Sequence, residues 1–348
     1  MKPVLNYFEQ IEHATNIAIL VHKGADMDAL GSAIALKRLI KKNCKPKQID
    51  IFTDTANINE NDLKKNMYAV FTKNENINKK NCKEYDLAIC LDTSNRKLLG
   101  CYDKIFKKAK DTLNIDHHQS NTIYANKNIV VPKCSSACEL IYQLLIKIRK
   151  LKHSDDILRL LYAGIITDTN NLANNLGRNT FKIIDDISGN DPKKMEQLEK
   201  IRNYFFKNET KAKFALLGKA LQSIKYACGG KVAMMKITKQ DFVDTNAVMT
   251  DTLGIVDYAT KLQGVEVACM FIKQKDNTYY VSLRSKNQVN VGKIAQKLGG
   301  GGHDKIAAFP TKHNEHLTDV KNKILSLCQE QLKIEDTTEN FEELFMEE

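Results

Sequence analysis

Acidic and imidazole side chains recur where predicted strands and helices end in the first half of this chain. They follow four separate apolar runs and comprise His22, Asp26, Asp28, Asp92, Asp116, His117, His118 and Asp168. Taken singly, an Asp after a strand is most often a helix N-cap or a turn residue. Because α/β sheets bind ligands at the carboxyl ends of their strands, four such strings in one domain predict a shared site.

The types of these side chains predict a metal centre. Several carboxylates brought together without Lys or Arg partners would repel one another, and divalent cations supply the missing positive charge. A mixture of carboxylate and imidazole ligands suits Mn²⁺, Fe²⁺ or Co²⁺ better than Mg²⁺, which prefers oxygen ligands alone. No cysteine lies within the four strings, which disfavours a structural zinc site.

The elements that must position these groups are those of an α/β domain. Short apolar runs alternate with helical patterns, which is typical of a mainly parallel sheet flanked by helices. The predicted strands are 16–21, 47–52, 85–91, 112–115 and 128–131, and the predicted helices are 29–39, 136–149 and 155–166. We expect residues 1–184 to form this metal-binding catalytic domain.

A second, smaller α/β domain is predicted at 226–334, after a helical linker at 185–225. Its strand patterns at 231–237, 265–273 and 278–284 precede a helical pattern at 291–298, four glycines at 299–302 and a closing helix at 316–333. We expect the acidic residues 335–348 to form a disordered tail.

Charge and cysteine content restrict the classes of partner and compartment. The formal net charge of +11 favours nucleotides or nucleic acid as partners, although lysine enrichment also arises from genome composition. Nine scattered cysteines without a CxxC pair are typical of reduced thiols in a cytoplasmic protein. No apolar run reaches the ~18 residues of a membrane span, and we expect no secretory signal.

The order of the strings resembles the DHH/DHHA1 family of phosphoesterases. Residues 22–32 (HKGADMDALGS) are similar to the family's first motif, His-x-x-x-Asp-x-Asp-x-x-Gly-Ser, and 92–96 (DTSNR) resemble the second. The family takes its name from the triplet found at 116–118, and 167–169 (TDT) resemble its fourth motif. In the second domain, 284–286 (RSK) and 299–303 (GGGGH) resemble the DHHA1 signatures. The resemblance is closest to the bacterial nanoRNase and pAp-phosphatase branch.

The resemblance implies two divalent metal ions, with Mn²⁺ as the expected metal. It implies that His22, Asp26 and Asp92 hold one ion, and that Asp28, Asp92, His117 and Asp168 hold the other. Asp92 and His118 would be the catalytic residues, with His118 at the scissile phosphate. Substrate-binding roles are implied for Arg284, Ser285, Lys286, Gly300, Gly301, Gly302 and His303. Taken alone, the glycine run is also typical of a flexible hinge.

The implied activity is hydrolysis of short oligoribonucleotides, of 3′-phosphoadenosine 5′-phosphate (pAp), or of both. The alternatives are cleavage of linear or cyclic dinucleotides and non-catalytic binding of nucleotides or RNA. No membrane is implied as a partner, and homodimer formation is left open. Two departures from the family stand out. Met27 stands where the family has glycine, which concerns the geometry of the turn, and 169–173 (TNNLA) replace a Thr-Gly-x-Phe-Arg string, which concerns substrate contacts.

Overall fold

The computed structural model describes residues 2–54, 77–78, 84–274, 276–302 and 304–333. The chain forms two compact units that divide between Asn208 and Glu209. Each unit has its own sheet, helices and core, which confirms the predicted fold class. His303 and the predicted tail at 335–348 lie outside the described residues. Among the helices in the described ranges, none combines the length and apolarity that a membrane span requires.

The first unit is built on five parallel strands: β1 (Asn16–Val21), β2 (Gln48–Phe52), β3 (Leu87–Leu91), β4 (Asp111–Asp116) and β5 (Lys127–Val130). Their order in the sheet is β2-β1-β3-β4-β5, and every neighbouring pair is parallel. Central strand β3 is buried along its whole length. Strands buried on both faces carry continuous apolar runs, which is why the sequence predicts these strands well.

The helices of the first unit include one closely packed pair. They are α1 (Lys2–His13), α2 (Met27–Asn43), α3 (Asp103–Lys108), α4 (Ala137–Ile141), α5 (Asp155–Asp168), α6 (Thr180–Ser188) and α7 (Pro192–Phe206). A 3₁₀ helix (Arg96–Tyr102) precedes α3, and a π-helical stretch (Tyr142–Ile148) extends α4. Helices α2 and α5 pack closely, because a Cβ at Gly31 would lie only 3.0 Å from the backbone oxygen of Leu160. This contact places the first turn of α2 beside α5.

The second unit has a mixed sheet with strands β6 (Lys225–Ala227), β7 (Val232–Ile237), β8 (Val267–Lys273), β9 (Tyr279–Ser285), β10 (Gly301–Gly302) and β11 (Ile306–Pro310). The order is β10-β11-β9-β8-β7-β6, and β7 and β8 pair in parallel. Its helices are α8 (Lys211–Gln222), α9 (Lys239–Thr245), α10 (Ile255–Thr260), α11 (Val291–Lys297) and α12 (Leu317–Leu332), with a 3₁₀ turn at Met249–Thr252.

The segment predicted as a linker is divided between the two units. Helix α7 lies in the first unit, whereas α8 begins the second. In the second unit, one core cluster contains the buried residues of α11 and α12, and another contains those of α8 and α10. The helical parts of this segment therefore belong to the packed units themselves.

Candidate metal centre

The loop between β1 and α2 supplies the first three site residues. Asp26 is the N-cap of α2, since its carboxylate accepts a hydrogen bond of 3.0 Å from the backbone N–H of Ala29. The same Oδ1 atom lies 3.9 Å from Nε2 of His22, so the capping role and the site role coexist. Asp28, in the first turn of α2, is only 1% exposed. The structure therefore directs one exposed and one buried carboxylate from this loop towards the site.

Asp92 lies at the centre of the cluster, directly after β3. Its Oδ2 atom is 3.7 Å from Nε2 of His22, and its Oδ1 atom is 3.3 Å from Nε2 of His117. The backbone at Asp92 is left-handed (φ 49°), a region that Asp tolerates better than most residues but that still carries strain. Each oxygen of this carboxylate thus faces a different imidazole.

His117 is surrounded by three carboxylates that come from separate elements. Besides Asp92, its Nε2 atom lies 3.6 Å from Oδ2 of Asp168 and 4.0 Å from Oδ2 of Asp28. Asp168 is the last residue of α5, and Asp28 belongs to α2. The parallel sheet and the close packing of α2 on α5 therefore bring together residues that are far apart in the chain.

Asp28 is held in place by the start of α4. Its Oδ2 atom accepts a hydrogen bond of 2.6 Å from the backbone N–H of Ala137, and its Oδ1 atom accepts one of 2.8 Å from that of Cys138. These bonds fix the plane of the carboxylate. Outer contacts of this kind orient ligands and tune the metal that they bind.

His118 is oriented by Asp116, a residue to which the sequence reasoning assigned no role of its own. Asp116 is fully buried, and its Oδ1 atom lies 2.7 Å from Nδ1 of His118. An ionised carboxylate only accepts hydrogen bonds, so Nδ1 of His118 carries the proton and Nε2 is left for other partners. Asn121 donates to the second oxygen of Asp116 at 2.5 Å. Asp116 is thus a positioning residue, and the family triplet was the available signal for it.

The electrostatics show that the cluster needs positive charge. Burial works to raise the pKa of Asp92, but the neighbouring His117 and His22 rings hold that pKa well below its usual range. Burial works to lower the pKa of the imidazoles, yet the surrounding carboxylates, Asp92 first among them, together outweigh it and raise the pKa of His22 to about 9 and that of His117 to about 10. Burial, and then Asp92, raise the pKa of Asp28 to about 7. Protons on the imidazoles and a bound cation are thus alternative ways to offset the charge of these carboxylates.

Within the part of the chain that the structure describes, three buried polar atoms at the centre have no hydrogen-bond partner: Oδ1 of Asp92, Nε2 of His117 and Oδ2 of Asp168. A buried polar atom without a partner costs about 1–3 kcal/mol. Coordination of a divalent cation would satisfy all three, because each atom is a metal ligand by type. The donor set therefore fits the metal that the sequence predicts.

The candidate ligand atoms fall into three overlapping groups, each with atoms within 4.8 Å of one another. The groups are His22-Asp26-Asp92, Asp28-His117-Asp168 and Asp92-Asp116-His117-His118. The first two correspond to the two ion sites that the resemblance implies, with Asp92 absent from the second. The third group shares Asp92 with the first group and His117 with the second.

A recess opens beside these ligands within the first unit. It has a volume of about 230 Å³ and is lined by Asp26, Met27, Thr167, Asp168, Phe205 and Phe206. The two phenylalanines end α7, and the sequence reasoning did not place them near the site. Nothing in their spacing from Asp168 indicates this proximity.

Three of the predicted substrate-binding residues of the second unit, Arg284, Ser285 and Lys286, lie at the end of β9 and directly after it. Nε of Arg284 donates to Oδ1 of Asp257 at 2.6 Å, and Arg284 borders an apolar recess that also contains Tyr280. The hydroxyl of Ser285 donates to the backbone oxygen of Val289 at 2.5 Å. Lys286 also has an internal partner, since its Nζ donates to the backbone oxygen of Leu262 at 2.6 Å. The substrate roles of these three residues stay predictions.

The glycine run forms the edge of the same sheet. A Cβ at Gly300 would lie 2.2 Å from the backbone oxygen of Ala308, and one at Gly302 would lie 2.4 Å from that of Ile306. These glycines are therefore required by close packing against β11. Among the described residues, none comes within 4 Å of a Cβ built at Gly301, and both Gly301 and Gly302 are exposed. The order β10-β11-β9 puts the run two strands from Arg284.

Two family models and several known proteins match this chain. The family model described as "DHH family, N-terminal domain" matches residues 16–165, and the model of the DHHA1 domain matches residues 229–330. A probable bifunctional oligoribonuclease and PAP phosphatase NrnA of Streptococcus mutans is 29% identical over 307 residues, which cover 84% of this chain and 89% of that protein.

Two further relatives extend the comparison. The cyclic-di-AMP phosphodiesterase GdpP of Geobacillus thermodenitrificans is 28% identical over 307 residues, which cover 85% of this chain but 44% of that protein. The crystal structure of an exopolyphosphatase-related protein from Bacteroides fragilis superposes with a TM-score of 0.80 at 20% identity, covering 95% of this chain and 96% of that one. At this identity the likeness shows a shared fold.

Proposed function

Because this chain belongs to the DHH family of phosphoesterases and carries a DHHA1 domain after its DHH domain, we propose that it hydrolyses short oligoribonucleotides, pAp or both. The observation that carries this proposal is the position of Asp92. Its two carboxylate oxygens face two different ligand groups, 3.7 Å from His22 and 3.3 Å from His117. A carboxylate placed in this way is suited to lie between two ions.

The cofactor in this proposal is a pair of divalent ions, with Mn²⁺ as the expected metal. His22, Asp26 and Asp92 would hold one ion, and Asp28, His117 and Asp168, with Asp92, the other. A pair of bound ions supplies an activated water and neutralises charge on the phosphoryl oxygens. The imidazole ligands favour Mn²⁺ over Mg²⁺.

The remaining roles in the proposal belong to groups of the protein itself. His118, with its Nδ1 proton fixed by Asp116, presents Nε2 as a donor to a phosphoryl oxygen when the ring is protonated. Burial lowers the pKa of His118, but Asp116 and Asp92 raise it overall, which favours the donor form. In the second unit, Arg284 and the exposed backbone of the glycine run are the groups proposed to bind nucleotide.

The relatives support nucleotide substrates without ranking them. The S. mutans relative is named for oligoribonuclease and PAP phosphatase activity, and the G. thermodenitrificans relative for cleavage of cyclic di-AMP, at nearly equal identity of 29% and 28%. Dinucleotide phosphodiesterase activity is therefore the second candidate. We also propose a cytoplasmic location, because the cysteines of the described residues are all free thiols.

A substrate panel tests the proposal. Purified protein is incubated with pAp, RNA of two to five nucleotides, DNA of the same lengths and linear and cyclic dinucleotides, each with Mn²⁺ and with Mg²⁺. We expect Mn²⁺-dependent release of phosphate or mononucleotide from pAp or short RNA, and loss of this activity in Asp92→Asn. Faster cleavage of dinucleotides alone would favour the second candidate. Nucleotide binding without turnover in either protein would show a non-catalytic binder and overturn the proposal.

A further inference from the structure

We propose that Phe205 and Phe206, at the end of α7, form a stacking surface for the nucleobase of the nucleotide whose phosphate lies at the metal centre. The inference rests on the proposed function for the position of that phosphate. It adds a base-recognition subsite within the first unit, made by residues outside the family's motifs. Its ligand is a single nucleobase, recognised by its flat face.

The lining of the recess combines two chemical types of residue. Asp26 and Asp168 are candidate metal ligands, whereas Met27 and the two phenylalanines are apolar. None of the six described residues that line the recess is basic. A second phosphate is therefore a poor occupant, whereas an uncharged ring attached to a metal-bound phosphate matches both types of lining residue.

The size of the recess limits its occupant. Its volume of about 230 Å³ is below the ~300–1,000 Å³ typical of sites that enclose drug-sized ligands. One nucleobase fits this description better than a dinucleotide does. Aromatic side chains stack on any base because every base has a π-face, so this subsite would not select strongly among bases.

Two contacts hold the end of α7 that carries the stacking surface. The ring of Phe205 meets that of Tyr204 edge to face, with centroids 5.2 Å apart and an interplanar angle of 88°. One turn earlier on α7, Nε of Arg202 donates to Oδ1 of Asn171 at 2.8 Å. Asn171 lies in the loop that directly follows Asp168. The end of α7 is thus anchored beside a candidate metal ligand.

The loop after Asp168 makes this anchoring possible. Three successive residues, Asn170, Asn171 and Leu172, have left-handed backbone with φ of 47°, 58° and 65°. Asn visits this region more readily than most residues, and the turn brings its side chain to Arg202. This is the segment in which the sequence departs from the family string, so the connection to α7 is a feature of this chain's own residues.

The test compares ligands with and without a base. Binding of AMP and of ribose 5-phosphate is measured by calorimetry in the presence of Mn²⁺, for the wild type and for Phe205→Leu and Phe206→Leu. Leucine keeps apolar bulk against the core but removes the flat ring. Phe181→Leu is the matched control, since Phe181 is 61% exposed on α6 and does not line the recess.

We expect the wild type to bind AMP about 5- to 100-fold more tightly than ribose 5-phosphate, the range that stacking of one base supplies. Each recess variant should reduce this ratio and leave the affinity for ribose 5-phosphate unchanged. Phe206→Tyr, which keeps an aromatic ring, should retain the ratio, as should Phe181→Leu. Thermal unfolding of each variant identifies any that has lost its fold, and the Tyr variant then decides.

An unchanged ratio in both Leu variants would overturn the inference. So would an equal loss of affinity for both ligands, which would show that the phenylalanines only shape the site. The outcome is separable from that of the proposed function. A base preference that disappears in the variants supports the inference even if no substrate is turned over, whereas pAp hydrolysis with a wild-type ratio near one supports the function alone.

Discussion

We expect Asp92→Asn to lower kcat/KM for pAp or short RNA by more than about 100-fold while the fold is retained. Asparagine is the appropriate replacement because residue 92 has φ 49°, a conformation that Asn adopts readily. Alanine at this position would add about 1–2 kcal/mol of backbone strain and confuse the result. The amide keeps the shape of the side chain, removes its charge and replaces one of its two oxygens by an NH2 group, which is not a metal ligand.

The magnitude follows from the contacts of Asp92. Loss of a group that merely orients a ligand costs about 10- to 100-fold in metal affinity or activity. Asp92 is itself a ligand candidate, with its oxygens 3.7 Å and 3.3 Å from two imidazoles of different ligand groups. Its removal should therefore exceed that range, and 100-fold corresponds to about 2.7 kcal/mol of transition-state stabilisation.

The assay pairs steady-state kinetics with metal counting. The wild type should bind two Mn²⁺ ions, whereas Asp92→Asn should keep one, because the Asp28-His117-Asp168 group does not contain Asp92. Asp156→Asn serves as the control, since Asp156 pairs with Arg38 at 2.8 Å and is 40% exposed. It should change neither property. Two ions bound to Asp92→Asn, with activity within about 10-fold of the wild type, would refute the shared role.

Three further results are expected. Asp116→Asn should lower kcat about 10- to 100-fold with little change in KM. The limb of the pH–rate profile that reports His118 should move to lower pH, because Asp116 opposes the effect of burial and raises the pKa of His118. An unshifted limb would contradict the positioning role of Asp116. Binding of Mn²⁺ should release protons and should become tighter from pH 6 to pH 8, because His117 holds its proton with a pKa of about 10. Calorimetry in buffers of different ionisation enthalpy measures the proton release. Binding without proton release would argue against imidazole ligands. Gly300→Ala should destabilise the second unit by about 1–3 kcal/mol in urea unfolding, since the new Cβ would meet a backbone oxygen at 2.2 Å. Gly301→Ala should change stability by less than about 0.5 kcal/mol. Equal effects of the two substitutions would contradict the close packing of Gly300 against β11.

The predictable part of the site is the part that strand ends determine. His22, Asp92 and His117 follow strands whose buried apolar runs are clear in the sequence, and parallel strands bring their carboxyl ends to one edge. The role of Asp116 is different. Its motif is visible in the sequence, but its function as a positioning residue depends on the 2.7 Å contact with His118. A distance of this kind is set by tertiary structure.

Long-range packing accounts for the elements that the sequence does not predict. Strand β10 consists of two glycines and exists because it pairs with β11, whose Ala-Ala centre and terminal Pro310 have weak strand propensity. The position of Phe205 and Phe206 beside Asp168 results from the fold of α7 onto α5. The helical pattern of α7 is visible in the sequence, but the face that meets the site is not.

The attachment of Asp28 to α4 has a consequence for when the protein can acquire its ions. The two amide groups that orient this carboxylate lie 109 and 110 residues further along the chain. A nascent chain that ends after β4 contains most of the ligands, but Asp28 has no fixed orientation and Asp168 has not been synthesised. The complete ligand set therefore exists only once the chain has been synthesised through α5, so ions held by it would stabilise the completed domain rather than its precursors.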